Sequence, residues 1–358
     1  MSTNRIKVGI THGDINSISY EVILNTLLDN RILEDCIPIV YGSAKVAAYH
    51  RKALKINNLM LNIVNSATEA NGRKNYIINC VDENIRVELG KSTPMAGEAS
   101  FLALEAAVAD LKAKKIDVLV TGPINKNNIQ SDKFSFKGHT EYLQAQFGAN
   151  DVLMFMVSDK LRVGVLTGHV PIKEVPELIT ENAILSKLKL MNQSLIQDFG
   201  IRKPKIAILG LNPHSGDEGL LGTEENEVII PTLQKAREMN MMALGPYSAD
   251  GFFGSNSYLG FDAILAMYHD QGLIPFKSLV YGEGVNFTAG LPCVRTSPAH
   301  GTAYELAGKA EASSESFRNA LYLACDIFKT RQQYKELSSN PLKRHEMSDL
   351  QSSSSEKE

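Results

Sequence analysis

Four segments of the chain run from an apolar, strand-like stretch straight into a small group of reactive polar residues. Residues 116–121 lead into Gly122-Pro-Ile-Asn-Lys126, residues 162–167 into Gly168-His169, residues 205–210 into Leu211-Asn-Pro-His214, and residues 261–266 into Met267-Tyr-His269-Asp270. In open α/β sheets ligands bind just beyond the carboxyl ends of the strands, so reactive residues repeated at strand ends are the pattern of an active site. His169, His214 and His269 are too far apart in sequence for a local metal motif. Brought to one edge of one sheet, three imidazoles with open positions suit a catalytic divalent cation. The alternative is that each caps its strand through hydrogen bonds. Asp270 could orient His269 or act as an acid/base group, although neighbouring side chains on a strand point to opposite faces.

A second set suits phosphate. Lys126, the segment Gly138-His139-Thr140-Glu141, Lys277, Asn286 and Arg295 offer ammonium, hydroxyl, amide and guanidinium donors. Gly138-His139-Thr140 before Glu141-Tyr-Leu-Gln reads as a helix start, where backbone N–H groups face an anion. The chain lacks a GxGxxG after a strand, a GxxxxGK[ST] loop and a GxSxG elbow. A Rossmann dehydrogenase, a P-loop NTPase and an α/β serine hydrolase are therefore disfavoured.

Elements that could position these residues follow from the hydrophobic pattern. Strand-like runs at 7–11, 37–41, 76–81, 116–121, 152–157, 162–167, 205–210 and 263–267 alternate with helical patterns. Their continuous apolar character suits a largely parallel sheet covered on both faces. One long helix is expected after Pro94, and another after the N-cap Thr180, stopping at Gly200. The polar, low-complexity residues 336–358 read as a frayed tail.

With 358 residues, 44% hydrophobic and 22% charged, the chain can bury a large core in two domains. Its net charge of -3 argues against a nucleic-acid partner. Four scattered cysteines without a CxxC pair fit reduced thiols. No apolar stretch is long enough to cross a bilayer, and no signal peptide precedes the first strand. A soluble, cytoplasmic protein is expected.

In order, Gly9-Ile-Thr-His-Gly-Asp14, Val120-Thr-Gly-Pro-Ile-Asn-Lys126, Gly138-His-Thr-Glu141, Thr167-Gly-His169, Gly210-Leu-Asn-Pro-His-Ser-Gly216, Gly245-Pro-Tyr-Ser-Ala-Asp250, Ala266-Met-Tyr-His-Asp-Gln-Gly272, Gly284-Val-Asn286, Leu291-Pro-Cys-Val-Arg-Thr-Ser297 and His300-Gly-Thr-Ala303 resemble the 4-hydroxythreonine-4-phosphate dehydrogenase family of vitamin B6 biosynthesis. The resemblance implies two α/β/α domains of the isocitrate/isopropylmalate dehydrogenase-like class with an interdomain cleft. Residues 1–140 plus 285–335 form the first domain and 141–284 the second. It also implies a homodimer whose active site is shared between subunits. His169, His214 and His269 correspond to its metal ligands, drawn from both chains, and His139, Thr140, Lys277, Asn286 and Arg295 to its substrate-binding residues. Asp250 and Asp270 are acid/base candidates. In the first segment His12 stands where the family commonly has proline, and Ser17 and Ser19 where it has glycine.

The implied reaction is NAD- or NADP-dependent oxidation of the secondary hydroxyl of 4-phosphooxy-L-threonine. The resulting β-keto acid, 2-amino-3-oxo-4-phosphooxybutanoate, decarboxylates to 3-amino-2-oxopropyl phosphate. One zinc, magnesium or cobalt ion per site is implied. The nearest alternative is a dehydrogenase of D-threonate or D-erythronate 4-phosphate. A phosphate acyltransferase, or a sensor of metal or phosphate without catalysis, represents the other classes.

Overall fold

The computed structural model describes residues 5–82 and 84–340. Its strands are β1 (Ile6–Thr11), β2 (Cys36–Gly42), β3 (Leu61–Ile63), β4 (Asn75–Asn79), β5 (Val118–Thr121), β6 (Leu153–Val157), β7 (Arg162–Thr167), β8 (Lys205–Leu209), β9 (Met242–Tyr247), β10 (Ala263–Tyr268), β11 (Val285–Ala289) and β12 (Val294–Pro298). They form one sheet in the order β3-β4-β2-β1-β5-β12-β11-β6-β7-β10-β8-β9.

The eight expected strands are present, but the sheet is mixed. β11 runs antiparallel to both β12 and β6, and β6 antiparallel to β7. The cause is loop length. Only residues 158–161 separate β6 from β7 and only 290–293 separate β11 from β12, and connections so short can join only antiparallel neighbours. Three successive reversals leave β5 and β12 pointing opposite to the parallel set β7, β10 and β8. The three histidine-bearing strands do share an edge; the strand leading to Lys126 ends at the other.

Side chains alternate between the faces, and helices cover both. Val118 and Val120 pack in the same cluster as Phe317, Leu321 and Ala324 of the helix Glu315–Ser338, whereas Leu119 packs with Leu104, Val108 and Leu111 of the helix Pro94–Lys112. In the other half Ile206 and Ile208 face Leu188 and Met191 of the helix Glu181–Gln197, while Ala207 and Leu209 join Leu273 and Phe276 of the helix His269–Leu279. Full burial of one such leucine, isoleucine or phenylalanine contributes about 1.5–3 kcal/mol. The two anticipated long helices start as expected, with Thr93 and Thr180 hydroxyls accepting from the N–H groups of Ala96 and Ala183. The expected tail begins too early, because residues 336–338 complete the helix Glu315–Ser338; residues 341–358 lie outside the described residues.

The departure at His12 has a structural consequence. His12 and His50 are buried on either side of Tyr20, one edge-on and one stacked at 4.9 Å. Each Nε2 donates to a carbonyl, of Ala99 at 3.0 Å and of Ile15 at 2.8 Å, while His12 Nδ1 is sealed without a partner. Burial lowers the pKa of both to about 4. Next to them Gly13 takes φ +66°, where a Cβ would lie 2.4 Å from Pro123 O. Asp14 then receives the Tyr304 hydroxyl at 2.7 Å, the Asn128 amide at 2.9 Å and the Asn16 N–H at 2.9 Å, tying the first turn to the loop after β5.

Because both histidines titrate near 6.5 when unfolded, the unfolded chain takes up more protons between that value and about 4, so stability falls as pH drops through this window. The loss is on the order of 3 kcal/mol for each histidine. Urea unfolding of wild type and a His12→Gln, His50→Gln double variant tests this. The variant should lose much less stability between pH 7 and 4.5, and an identical slope would refute the assignment.

Candidate functional site

Arg295 lies on β12 in the middle of the sheet, and its side chain is 2% exposed. Its hydrogen bonds go to neutral hydroxyls: Nε and Nη2 donate to Thr121 Oγ1 at 3.1 and 2.6 Å, and Nη1 to Thr288 Oγ1 at 3.2 Å. Among the described residues it joins no ion pair. Burial lowers its pKa to about 10, which leaves it charged at neutral pH. A buried cation without a counter-ion awaits an anion.

The surroundings fit that demand. A cavity of about 270 Å³ is lined by Lys126, His139, Lys277, Asn286, Ser297 and His300, together with His169 and His269. His139 opens the helix His139–Phe147, whose N-cap Gly138 supplies no side-chain acceptor; the first-turn N–H groups and the half-buried Thr140 thus face outward from the helix start. Burial, then the charges of Arg295 and Lys126, hold the His139 imidazole well below its usual pKa. The neutral ring keeps a sealed Nε2 without a partner, as do Asn286 Oδ1 and His300 Nε2. Three unpartnered polar atoms around one cavity mark where a polar ligand would sit.

At the other end of the cavity His169 and His269 lie with ring centroids 5.7 Å apart. His269 Nδ1 meets Asp270 Oδ1 at 2.7 Å. That contact corrects the expectation of opposite faces: β10 stops at Tyr268 and a helix starts at His269, so the neighbouring side chains can converge. With its proton on Nδ1, His269 offers a free Nε2 lone pair, the arrangement that carboxylates impose on metal-binding imidazoles. His169 Nε2 receives Lys126 Nζ at 3.5 Å. Burial and the Lys126 charge lower the His169 pKa and keep the ring neutral.

His214 does not join this pair. Among the described residues no group of three or more His, Cys, Asp and Glu is placed to hold a metal. His214 sits in a loop after β8 with Asp250 nearby, whose carboxyl is held below its usual range by the Ser248 hydroxyl, the Gly251 N–H and, more weakly, His214. Neither lines the cavity. The sequence places Lys126 in the phosphate set, whereas His300 and Ser297 emerge as cavity residues only in the structure. Position after a strand is an available signal for Lys126 and His300, but Ser297 lies within β12.

Fold and site together define a class: a three-layer α/β protein whose central strands hold a buried guanidinium without an ion-pair partner, beside His139, which lines a cavity that also reaches an imidazole pair. The chain belongs to the family described as "Pyridoxal phosphate biosynthetic protein PdxA", whose profile matches residues 34–324. It is 52% identical over 345 residues to the 4-hydroxythreonine-4-phosphate dehydrogenase of Bacteroides thetaiotaomicron, covering 96% of this chain and 94% of that one. The enzyme of the same name from a Sulfurihydrogenibium species is 42% identical, over 91% of this chain and 99% of the relative. The crystal structure of the Klebsiella pneumoniae 4-hydroxythreonine-4-phosphate dehydrogenase superposes with a TM-score of 0.79 at 28% identity, over 90% of this chain and 99% of that one. Among the described residues no helix is long and apolar enough to cross a membrane.

Arg295→Lys keeps the charge and loses the planar fork. Stabilisation of the protein by added phosphate should then need roughly ten- to more than a hundredfold higher concentration, as expected for loss of a charge-assisted bond. Thermal unfolding across a phosphate titration reads this directly, and an unshifted curve would make Arg295 purely structural.

Proposed function

We propose that the protein oxidises the C3 hydroxyl of 4-phosphooxy-L-threonine with NAD or NADP as hydride acceptor, and that the product loses its carboxylate as carbon dioxide to give 3-amino-2-oxopropyl phosphate. The observation that carries this reading is one cavity lined by His139, at the start of the helix His139–Phe147 and beside the buried Arg295, and by the His169–His269 pair. The relatives' names point the same way.

In this reading the phosphate takes the place of the missing counter-ion of Arg295, with His139, Thr140, Asn286 and Lys277 fixing its oxygens and the substrate's polar groups. Anchoring at the phosphate supplies binding energy and orientation for chemistry several bonds away. The unpartnered Nε2 of His269 and the neutral ring of His169 fit a divalent cation, zinc, magnesium or cobalt, as two of its ligands. Such an ion, when bound, supplies Lewis acidity at the substrate's secondary oxygen during oxidation and decarboxylation. Asp270 holds the His269 ring in place. Asp250 is the acid/base candidate of this reading, although a carboxyl held below its usual range is a weak base.

His214 and Asp250 belong to the same scheme if a second copy of the chain delivers them. Exposed large apolar residues follow each histidine along the chain: Ile172 and Leu178 after His169, Leu220 and Leu221 after His214, and Ile274 and Leu279, on the helix His269–Leu279, after His269. Exposed apolar side chains following each histidine are of the kind a two-fold dimer interface buries. The division into residues 1–140 with 285–335 and residues 141–284, with the cleft between, is part of this reading; strand order supports it in that β1–β5 with β12 and β6–β10 lie on opposite sides of β11, which pairs with both β12 and β6.

The direct test supplies purified protein with divalent metal, NAD and 4-phosphooxy-L-threonine and follows reduced cofactor and carbon dioxide. Turnover should vanish with a chelator and return with metal. Faster turnover of D-threonate or D-erythronate 4-phosphate would replace the proposed substrate, and no cofactor reduction with any of the three would reject the dehydrogenase reading. A shared site makes a further demand: mixing inactive His214→Ala and His269→Ala subunits should restore about a quarter of wild-type activity, since half of the dimers are mixed and each has one intact site. No recovery after demonstrated subunit exchange would place all ligands on one chain.

A further inference from the structure

The loop that carries His214 is held in a conformation its residues do not favour. His214, Ser215, Gly216, Asp217 and Glu218 have φ of 51°, 53°, 83°, 45° and 56°, and only one of the five is glycine. Consecutive left-handed residues persist only where their surroundings impose them. One buried side chain anchors the residues that lead into the turn. Glu225 is 1% exposed; its Oε1 accepts the backbone N–H of Leu211 at 2.7 Å and of Asn212 at 2.8 Å, and its Oε2 accepts the Asn212 side-chain amide at 2.9 Å.

The loop is wound closely around this group. A Cβ on Gly210 would lie 3.1 Å from Glu225 Oε1, and one on Gly216 2.8 Å from Oε2. One on Gly222 would lie 2.3 Å from the Asn212 amide nitrogen, which also donates to Glu224 at 2.7 Å. Glu225 itself opens a π-helical turn, Glu225–Ile229, and such wide turns often redirect a functional side chain. Among the described residues Glu225 joins no ion pair, so its buried charge is met by N–H donors of the residues leading to His214.

We infer that Glu225 is a positioning residue for His214: by fixing the Leu211–Asn212 backbone it sets where the left-handed turn presents the imidazole. This rests on the reading of His214 as a metal ligand. The probe is cobalt(II) alone, added to the full-length protein and followed by calorimetry and by its visible absorption, with no substrate or turnover involved. Three variants are compared, His214→Ala, Glu225→Ala and Glu225→Gln, each checked for folding by circular dichroism and urea unfolding. His214→Ala should abolish tight binding. Glu225→Ala should weaken it about 10- to 100-fold, the range for groups that orient metal ligands. Glu225→Gln keeps an oxygen for the two backbone N–H groups and sets an NH2 against the Asn212 amide. It should weaken binding less, with an altered cobalt spectrum, and it carries the test if Glu225→Ala does not fold. Wild-type affinity and spectrum in Glu225→Gln, with binding lost in His214→Ala, would overturn the role of Glu225 alone. Unchanged binding in His214→Ala would overturn the metal reading of His214, and the positioning role with it.

Discussion

A guanidinium sealed in the middle of a sheet without a carboxylate is the constraint around which this molecule is arranged. Removing a charge from water costs several kcal/mol even after relaxation, and the hydroxyls of Thr121 and Thr288 offset only part of that. A carboxylate there would satisfy Arg295 permanently and fill the place of a ligand. Instead His139 is kept neutral by burial and by the Arg295 charge itself, and the Glu141 carboxylate acts on Arg295 without forming an ion pair with it. The sheet thus stores an electrostatic demand that only an incoming anion meets, and meeting it orients whatever is attached to that anion.

The second requirement is that two strand sets of opposite direction meet at one cavity. β5 ends in the segment that reaches Lys126, β7 ends in the segment that reaches His169, and the two point opposite ways across the sheet. Contact between Lys126 and His169 is made from the long connection of residues 122–138, on which Lys126 lies. Asp14 fixes that connection at its start through Asn128 and Tyr304.

Much of this was legible in the sequence because the buried strands are continuous apolar runs and the two longest crossover helices announce themselves with threonine caps. The strands it did not reveal are those the site has altered. β11, Val285-Asn-Phe-Thr-Ala289, and β12, Val294-Arg-Thr-Ser-Pro298, carry Asn286, Thr288, Arg295 and Thr296 where apolar residues would have signalled a strand. β3 is three residues long, and β9 contains Gly245-Pro246. At the site, residue type singled out His139, Lys277, Asn286 and Arg295 and position after a strand singled out His169 and His269; all but Arg295 line the one cavity. No spacing rule could show that His269 and Asp270 begin a helix, or that His214 stands apart from the other two imidazoles within one chain.

Strand order also governs timing. β12 lies between β5 and β11, so the guanidinium and the hydroxyls that hold it come from residues 121, 288 and 295, far apart in the order of synthesis. The amino-terminal strands β1 to β5 can pair as they emerge from the ribosome, yet β5 keeps a bare edge until nearly three hundred residues have been made. Pairings of such sequence separation form slowly, and an exposed edge is a site for mispairing with another chain. The cavity is therefore among the last parts of the protein to come into existence, and a chain truncated before β12 would lack the Arg295 guanidinium and leave the edge of β5 open to aggregation.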